Sequence, residues 1–389
     1  MAELSGHKKI VSFTGLRFIM MMTIVLSHFS FLEDLGKIGA FYSSHLQNGT
    51  LGVVFFFVLS GFGMMLGKMA RLKNPHPPHT HHNSFFLKEG IIYGIRHVRQ
   101  IYPVYMATIV IGFLVNLADG ICQSESILNF LKRELVRFLV HIPLLQSATG
   151  MKYFAHAYNG VSWFLSTLFC IYLFSPLFMF CLCKFSKSYF SDMAFLLIEV
   201  LFIMGATYLL ARLEKISLHF EGIPTVDYLV YASPYSRVFY VLSGMSLAKI
   251  FERLRCEGNL PSFHFASFLE ITVSFIFFVY FFVRNTLPLG RTYRHAIDIL
   301  VILCFTIVFA FDRGCISHIL GKATLQWLGK ISMYIFLIHY PVTNYFGRIV
   351  DTFWKQTVFS AIVQIIIIIS FTFGLAAFCF HCISCEKHV

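Results

Sequence analysis

Apolar residues dominate ten stretches of the chain, roughly 10–32, 48–69, 93–118, 160–184, 191–213, 233–252, 263–284, 294–312, 325–347 and 354–381. A helix of about 20 apolar residues crosses the hydrocarbon core of a bilayer, and a soluble core has no use for so many such runs. The pattern predicts an all-α polytopic membrane protein with about ten transmembrane helices, forming a single domain over residues 1–389. The first stretch is too long for a signal-peptide core and contains Arg17 and His28, so it reads as a span with no cleavable signal.

An even number of spans puts both termini on one side. Lys8, Lys9, Lys68, Arg71, Lys73, Lys88, Lys184, Lys187, Lys249, Arg253 and Arg255 all fall on that side, against Lys132, Arg133, Arg137, Arg291 and Arg294 opposite. Cytoplasmic loops collect Lys and Arg, so both termini are expected in the cytoplasm. The longest extracytoplasmic connection is 119–159. Within it, 126–146 carries apolar residues at helical spacing with Lys132, Arg133 and Arg137 interspersed. That predicts an amphipathic helix at the membrane surface or a re-entrant piece, and the charges argue against a further span.

Composition agrees, with 57% hydrophobic and 13% charged residues. The net charge of +12 comes from Lys and Arg flanking the spans, and no compact basic domain suggests nucleic acid. The 10 cysteines are scattered in apolar runs and make no disulfide framework. Cys379, Cys382 and Cys385, with His381 between them, lack a well-spaced fourth metal ligand. They read better as a helix end, open to lipidation. The loop Asn74 to Asn83 holds His76, His79, His81 and His82, but its prolines and lack of cysteine favour a solvated loop over a zinc site. No metal is expected.

Ionisable groups inside spans are expensive and mark function. Arg17 and His28 are eleven residues apart, about three turns plus ~20°, so they share one helix face about 16 Å apart along the axis. Arg96 and Arg99, at i and i+3, offer two guanidinium forks that could hold a phosphate or pyrophosphate. Gly52 to Phe62 includes Ser60 and Gly61, which permit close helix packing. Trp163 to Ser166 opens the fourth span, Arg237 and Gly244 lie in the sixth, and His339 precedes Pro341 deep in the ninth.

In this order these elements resemble the acyltransferase 3 family of membrane O-acyltransferases, from Gly15 to Pro341. The carriers are Gly15-Leu16-Arg17 with His28, then Gly52 to Phe62, then Arg96 and Arg99 ahead of Pro103. Trp163 to Ser166 with Tyr172 and Pro176 follow, then Arg237 with Gly244 and Met245. Last comes Gly329-Lys330-Ile331-Ser332 leading to His339 and Pro341, with Met333 and Phe336 in aromatic slots. The chain departs from the family pattern at Leu168, where many members have Glu, and at Val54, where an acidic residue is common. A carboxylate partner for His28 would have to come from Glu33, Asp34 or Asp227 instead. No fused hydrolase-like extracytoplasmic domain, as found in some members, is expected.

The resemblance implies acyl transfer, most often of acetyl, from cytoplasmic acetyl-CoA to a hydroxyl of a cell-surface or lipid-linked glycan, by an enzyme of the cytoplasmic (inner) membrane. Arg96 and Arg99 would hold the CoA phosphates, and Arg17 would guide the pantetheine end or polarise the thioester. His28 would be the general base, or the carrier of an acyl-histidine. Trp163, Ser166, Arg237 and His339 would line the acceptor side, His339 as a proton-handling or a structural group. The competing reading is a proton-coupled or glycolipid transporter, which also uses buried Arg and His. It predicts inverted repeats, and none is evident.

Overall fold

A computed structural model describes residues 10–73, 86–121, 126–214, 219–220, 223–224, 228–229, 231–353 and 355–385. The histidine-rich loop, Lys8, Lys9 and Asp227 lie outside the described residues. The main helices are α1 (Val11–Leu26), α2 (Thr50–Lys73), α3 (Phe86–Val98), α4 (Tyr102–Ile121), α5 (Ile127–His141), α6 (Trp163–Phe185) and α7 (Tyr189–Glu214). They continue with α8 (Pro234–Cys256), α9 (Phe263–Val283), α10 (Arg291–Ala310), α11 (Cys315–Leu320), α12 (Ala323–Phe353) and α13 (Val358–Cys385). Besides helices, the described residues hold a two-residue antiparallel pair, His219–Phe220 with Ile223–Pro224.

Each of the ten apolar stretches contains a helix, and 7 described helices are long and apolar enough to cross a membrane. The other three stretches are α1, with 16 residues, and the more polar α8 and α12. These three need not be uniformly apolar because they face protein. The buried residues of α8 include Arg237, Ser243, Ser246, Lys249 and Glu252.

Small residues set the central packing. A Cβ on Gly61 would lie 1.8 Å from the Val241 carbonyl oxygen, and one on Gly244 would lie 2.0 Å from that of Val58. The α2 and α8 backbones therefore touch, as Gly61 suggested from sequence. Gly329 of α12 meets the Thr14 carbonyl of α1 in the same way. At the basic end of the bundle Asp312 accepts from Val11 N and Ser12 N, both at 2.9 Å, and so satisfies the first N–H groups of α1. Asp192 pairs there with Lys249 and Arg253, and Glu252 with Lys73. At the far end Asp298 takes both prongs of Arg284 at 2.7 Å each and the Tyr280 hydroxyl at 2.8 Å.

Two expectations change in detail. The third stretch is not one helix, because the chain breaks at residues 99–101 into α3 and α4. Proline at 103 has no N–H to give the carbonyl of residue 99, so a helix running through this point would lose that bond, whereas the first turn of a new helix tolerates it. The 126–146 segment is the re-entrant alternative. Helix α5 runs back along α4, with Phe138 on Phe113 at 4.6 Å, and with Tyr105 and Tyr102 donating to the His141 and Ile142 carbonyls at 2.8 Å. It buries Glu134 and His141 inward and leaves Leu128, Leu131, Leu135 and Leu139 uncovered, which is the surface a membrane covers.

Candidate active site

His28 follows the last turn of α1, and His339 lies in α12. Gly329 fits against Thr14, so the two helices approach closely and run in the same direction, bringing the imidazoles together. His28 Nδ1 is 2.8 Å from the Ile24 carbonyl oxygen, and His339 Nδ1 is 3.2 Å from that of Ile335. A carbonyl only accepts, so in the neutral rings both Nδ1 atoms carry the proton and both Nε2 atoms carry a lone pair. His339 Nε2 lies 3.3 Å from His28 Nδ1. The His28 N–H is therefore shared between a carbonyl and a second imidazole, and His28 Nε2 is left as the basic atom. His339 is fully buried and His28 half-buried.

The loop before α6 completes the wall. Tyr158 takes a left-handed φ of 65°, a strained conformation for a bulky residue. It is held there by hydroxyl bonds to Glu134. Asn159 then donates to Thr108 at 3.0 Å and to the Leu337 carbonyl at 2.9 Å. The tight bend places Gly160 against Tyr340, where a Cβ would be 2.4 Å from the ring. Tyr340 lies edge-on to His28 at 5.3 Å. His156, bonded to the Gly160 carbonyl at 3.0 Å, is within electrostatic reach of His28. Burial pushes the His156 imidazole down to about 4, helped by Lys152 and His28.

Arg17 is an exposed residue on a helix whose flanking positions 12–16 are mostly buried. Its electrostatic neighbour is Tyr172, which in turn is hydrogen-bonded to Ser60. Tyr172 also meets Tyr93 at 5.7 Å and His97 at 5.3 Å, and those two rings stack on each other at 4.0 Å. Arg71 and Arg96 are both within electrostatic reach of His97. Arg99 is not among the charges acting on His97. Gly90 and Gly94 fix the face of α3 that touches α6, and Arg96, about 160° from Gly94, lies on the opposite side, with Arg99 just past the end of the helix. Arg17 and Arg96 are therefore linked through the Tyr172, Tyr93 and His97 rings, a cluster that also takes in Arg71 and that the sequence did not single out.

The remaining candidates separate. Trp163 is buried, 5.0 Å from Tyr231 and 6.3 Å from His156. Ser166 is fully buried, donates to the Leu144 carbonyl at 2.8 Å and accepts from Ser147 N at 3.0 Å, so its hydroxyl holds a loop onto α6. Arg237 is fully buried beyond Trp163. Leu168 and Val54 are buried apolar residues, and Glu33 is engaged by Gln47 at 2.8 Å. His28 thus takes a histidine partner, which no local motif announced. Among the described residues no group of three His, Cys, Asp or Glu could hold a metal.

The model of an acyltransferase domain matches residues 10–381, nearly the whole chain. The chain belongs to the acyltransferase 3 family. No curated protein and no solved structure matches it. The membership accounts for an all-helical, membrane-embedded acyltransferase; Arg17 lies on α1, His28 just beyond its end and His339 on α12.

Proposed function

We propose that this acyltransferase moves an acetyl group from cytoplasmic acetyl-CoA to a hydroxyl of a cell-surface or lipid-linked glycan, with His28 as the general base. The observation that carries the reading is the His28–His339 pair, because it leaves one defined lone pair, His28 Nε2, at the end of the helix that bears Arg17. The cluster of Arg17, Tyr172, Tyr93, His97, Arg71 and Arg96 would supply what a CoA headgroup needs, namely guanidinium groups for phosphates and ring faces for a base. With the basic end in the cytoplasm, donor and acceptor reach the same catalytic group from opposite sides of an inner membrane.

The acceptor oxygen attacks the thioester carbonyl carbon while His28 Nε2 takes the hydroxyl proton. The C–S bond breaks, and the imidazolium returns that proton to the departing thiolate, so the enzyme ends unchanged. Arg17 lies nine residues, about 13 Å, before the end of α1, and His28 lies beyond that end, too far for Arg17 to polarise a carbonyl held at His28. Its role is to guide the pantetheine arm. His339 holds the His28 ring and its tautomer, as the carboxylate does in other base–orienter pairs.

Purified protein in lipid nanodiscs should release CoA thiol from acetyl-CoA in proportion to added acceptor. Glycans from producing cells should gain one acetyl mass relative to cells lacking the gene. Transport of an unmodified cargo with no thiol release would replace this reading with the transporter.

A further inference from the structure

Arg237 is 0% exposed, and it is the largest of the fully buried side chains. Its Nε donates to the Tyr231 carbonyl at 2.6 Å. Among the described residues neither terminal nitrogen has a hydrogen-bond partner of good geometry, and the polar group that couples to them is the Tyr240 hydroxyl. The guanidinium is instead enclosed by rings, with its Cζ 4.6 Å from the centroid of Tyr240, 5.2 Å from Tyr231 and 5.6 Å from Phe57. Ring faces offset part of the cost of burying a cation, but they accept none of its N–H bonds well, and an arginine cannot shed its proton to escape.

Among the described residues no carboxylate forms an ion pair with it. His295 is within electrostatic reach of both Arg237 and Asp298. Asp298, however, is taken by Arg284, Tyr280 and His295. A buried permanent charge with two free prongs is costly when left alone. The same geometry is suited to a planar or tetrahedral oxyanion gripped across both nitrogens.

We propose that Arg237 binds an oxyanion carried by the acceptor, a carboxylate or a phosphate, and so selects anionic acceptors. This rests on the reading that the acceptor hydroxyl is activated at His28. The two places are joined by ring contacts: Tyr231 to Trp163 at 5.0 Å, Trp163 to His156 at 6.3 Å, and His156 beside His28. The charge is therefore recognised some distance from the reacting hydroxyl, as suits an acceptor larger than one sugar. Of the three enclosing rings, Phe57 and Tyr240 are buried and Tyr231, just ahead of α8, is half-buried. The ligand enters where Tyr231 gives way.

The test compares acceptors that differ only in charge, using wild-type protein in nanodiscs with acetyl-CoA. One pair is a uronate-bearing oligosaccharide and its methyl ester. The other is a polyprenyl phosphate-linked sugar and the neutral polyprenyl glycoside. The wild type should favour the charged member of one pair by roughly 30-fold or more in kcat/KM, the loss expected when a buried charge goes unpaired. Which pair responds tells carboxylate from phosphate. Arg237→Gln should erase the preference, and Arg237→Lys should keep part of it. Equal use of charged and neutral members by the wild type, or an undiminished preference in folded Arg237→Gln, overturns the proposal. Thiol release with none of the four acceptors would overturn the acyltransferase reading instead. The anion site is then decided by thermal stabilisation: the charged ligands must raise the unfolding midpoint of the wild type and not of Arg237→Gln, and no difference rejects the site.

Discussion

His28 Nδ1 and His339 Nε2 stand 3.3 Å apart across two helices, although 311 residues separate them in sequence. The contact gives His28 an orienting partner without a carboxylate, and it directs the basic Nε2 away from the protein backbone. His28→Ala should lower acyl transfer by about 10²–10⁴-fold, the usual contribution of a positioned base, while the protein still inserts and folds. Thiol release at the wild-type rate from that variant would remove His28 from the chemistry.

His339 acts on His28, so its replacements should grade by what they offer to the His28 N–H. His339→Leu should lower kcat by about 10–100-fold, as a misplaced catalytic group does, with little change in KM for acetyl-CoA. His339→Gln, whose amide oxygen can accept the same bond, should recover part of the loss. The alkaline-rising limb of the rate profile should also move in His339→Leu, because His28 loses an acceptor that favours its imidazolium. A profile that keeps its shape while only protein yield falls would reduce His339 to a packing residue.

Much of this architecture was legible because its causes are local. Twenty apolar residues in a row and the placement of Lys and Arg are properties of single segments, and each of the ten stretches does contain a helix. The break before α4 was missed because the apolar residues on either side were read as one stretch, although Arg99, Gln100 and Pro103 marked the place. The orientation of 126–146 was undecidable, since an amphipathic face looks the same to a membrane surface and to a neighbouring helix. The tyrosines at 102 and 105, which fix α5 along α4, carry no such label. The partner of His28 was sought among acidic residues near familiar motifs. It came from a remote helix whose register is set by Gly329 against Thr14. His156 could not be singled out at all, because it lies in an irregular loop that becomes a wall only after the bend at Tyr158.

The donor cluster predicts a ranking among arginines. Arg71 and Arg96 both act on His97, whereas Arg99, just past the end of α3, is not among the charges that do. Arg96→Ala and Arg71→Ala should each raise KM for acetyl-CoA by about 10-fold, consistent with the loss of one charge-assisted bond worth ~1.5–3 kcal/mol, and Arg99→Ala should do less. Steady-state kinetics with acetyl-CoA varied at saturating acceptor reads this directly. An unchanged KM in Arg96→Ala would move the phosphate clamp elsewhere.

The glycines of α2 offer an internal control for the packing. Gly61→Ala puts a methyl 1.8 Å from a backbone oxygen of α8, whereas nothing lies within 4 Å of a Cβ on Gly63. Overpacking against backbone costs about 1–3 kcal/mol or more, and Gly63→Ala gains up to ~1 kcal/mol of helix propensity. Gly61→Ala should therefore lower the unfolding midpoint and the yield of monodisperse protein, and Gly63→Ala should leave both equal or higher. Equal behaviour of the two variants would mean that α2 and α8 are not in backbone contact.

The His156 loop carries a pH signature of its own. The folded protein holds this imidazole at about 4, below its ordinary 6.5, because burial disfavours the cation. Between those values the unfolded chain binds more protons than the folded one, so stability rises with pH across the window and is lost as pH falls through it. The thermal midpoint in detergent should stay level above about pH 6.5 and decline below it. His156→Gln retains a donor for the Gly160 carbonyl but has nothing to titrate, so its decline over the same range should be shallower. Melting curves collected from pH 4 to pH 8 on both proteins decide the point. Parallel declines would show that the His156 ring accepts its proton in the folded state, and that the wall beside His28 is more open to water than its hydrogen bond to Gly160 implies.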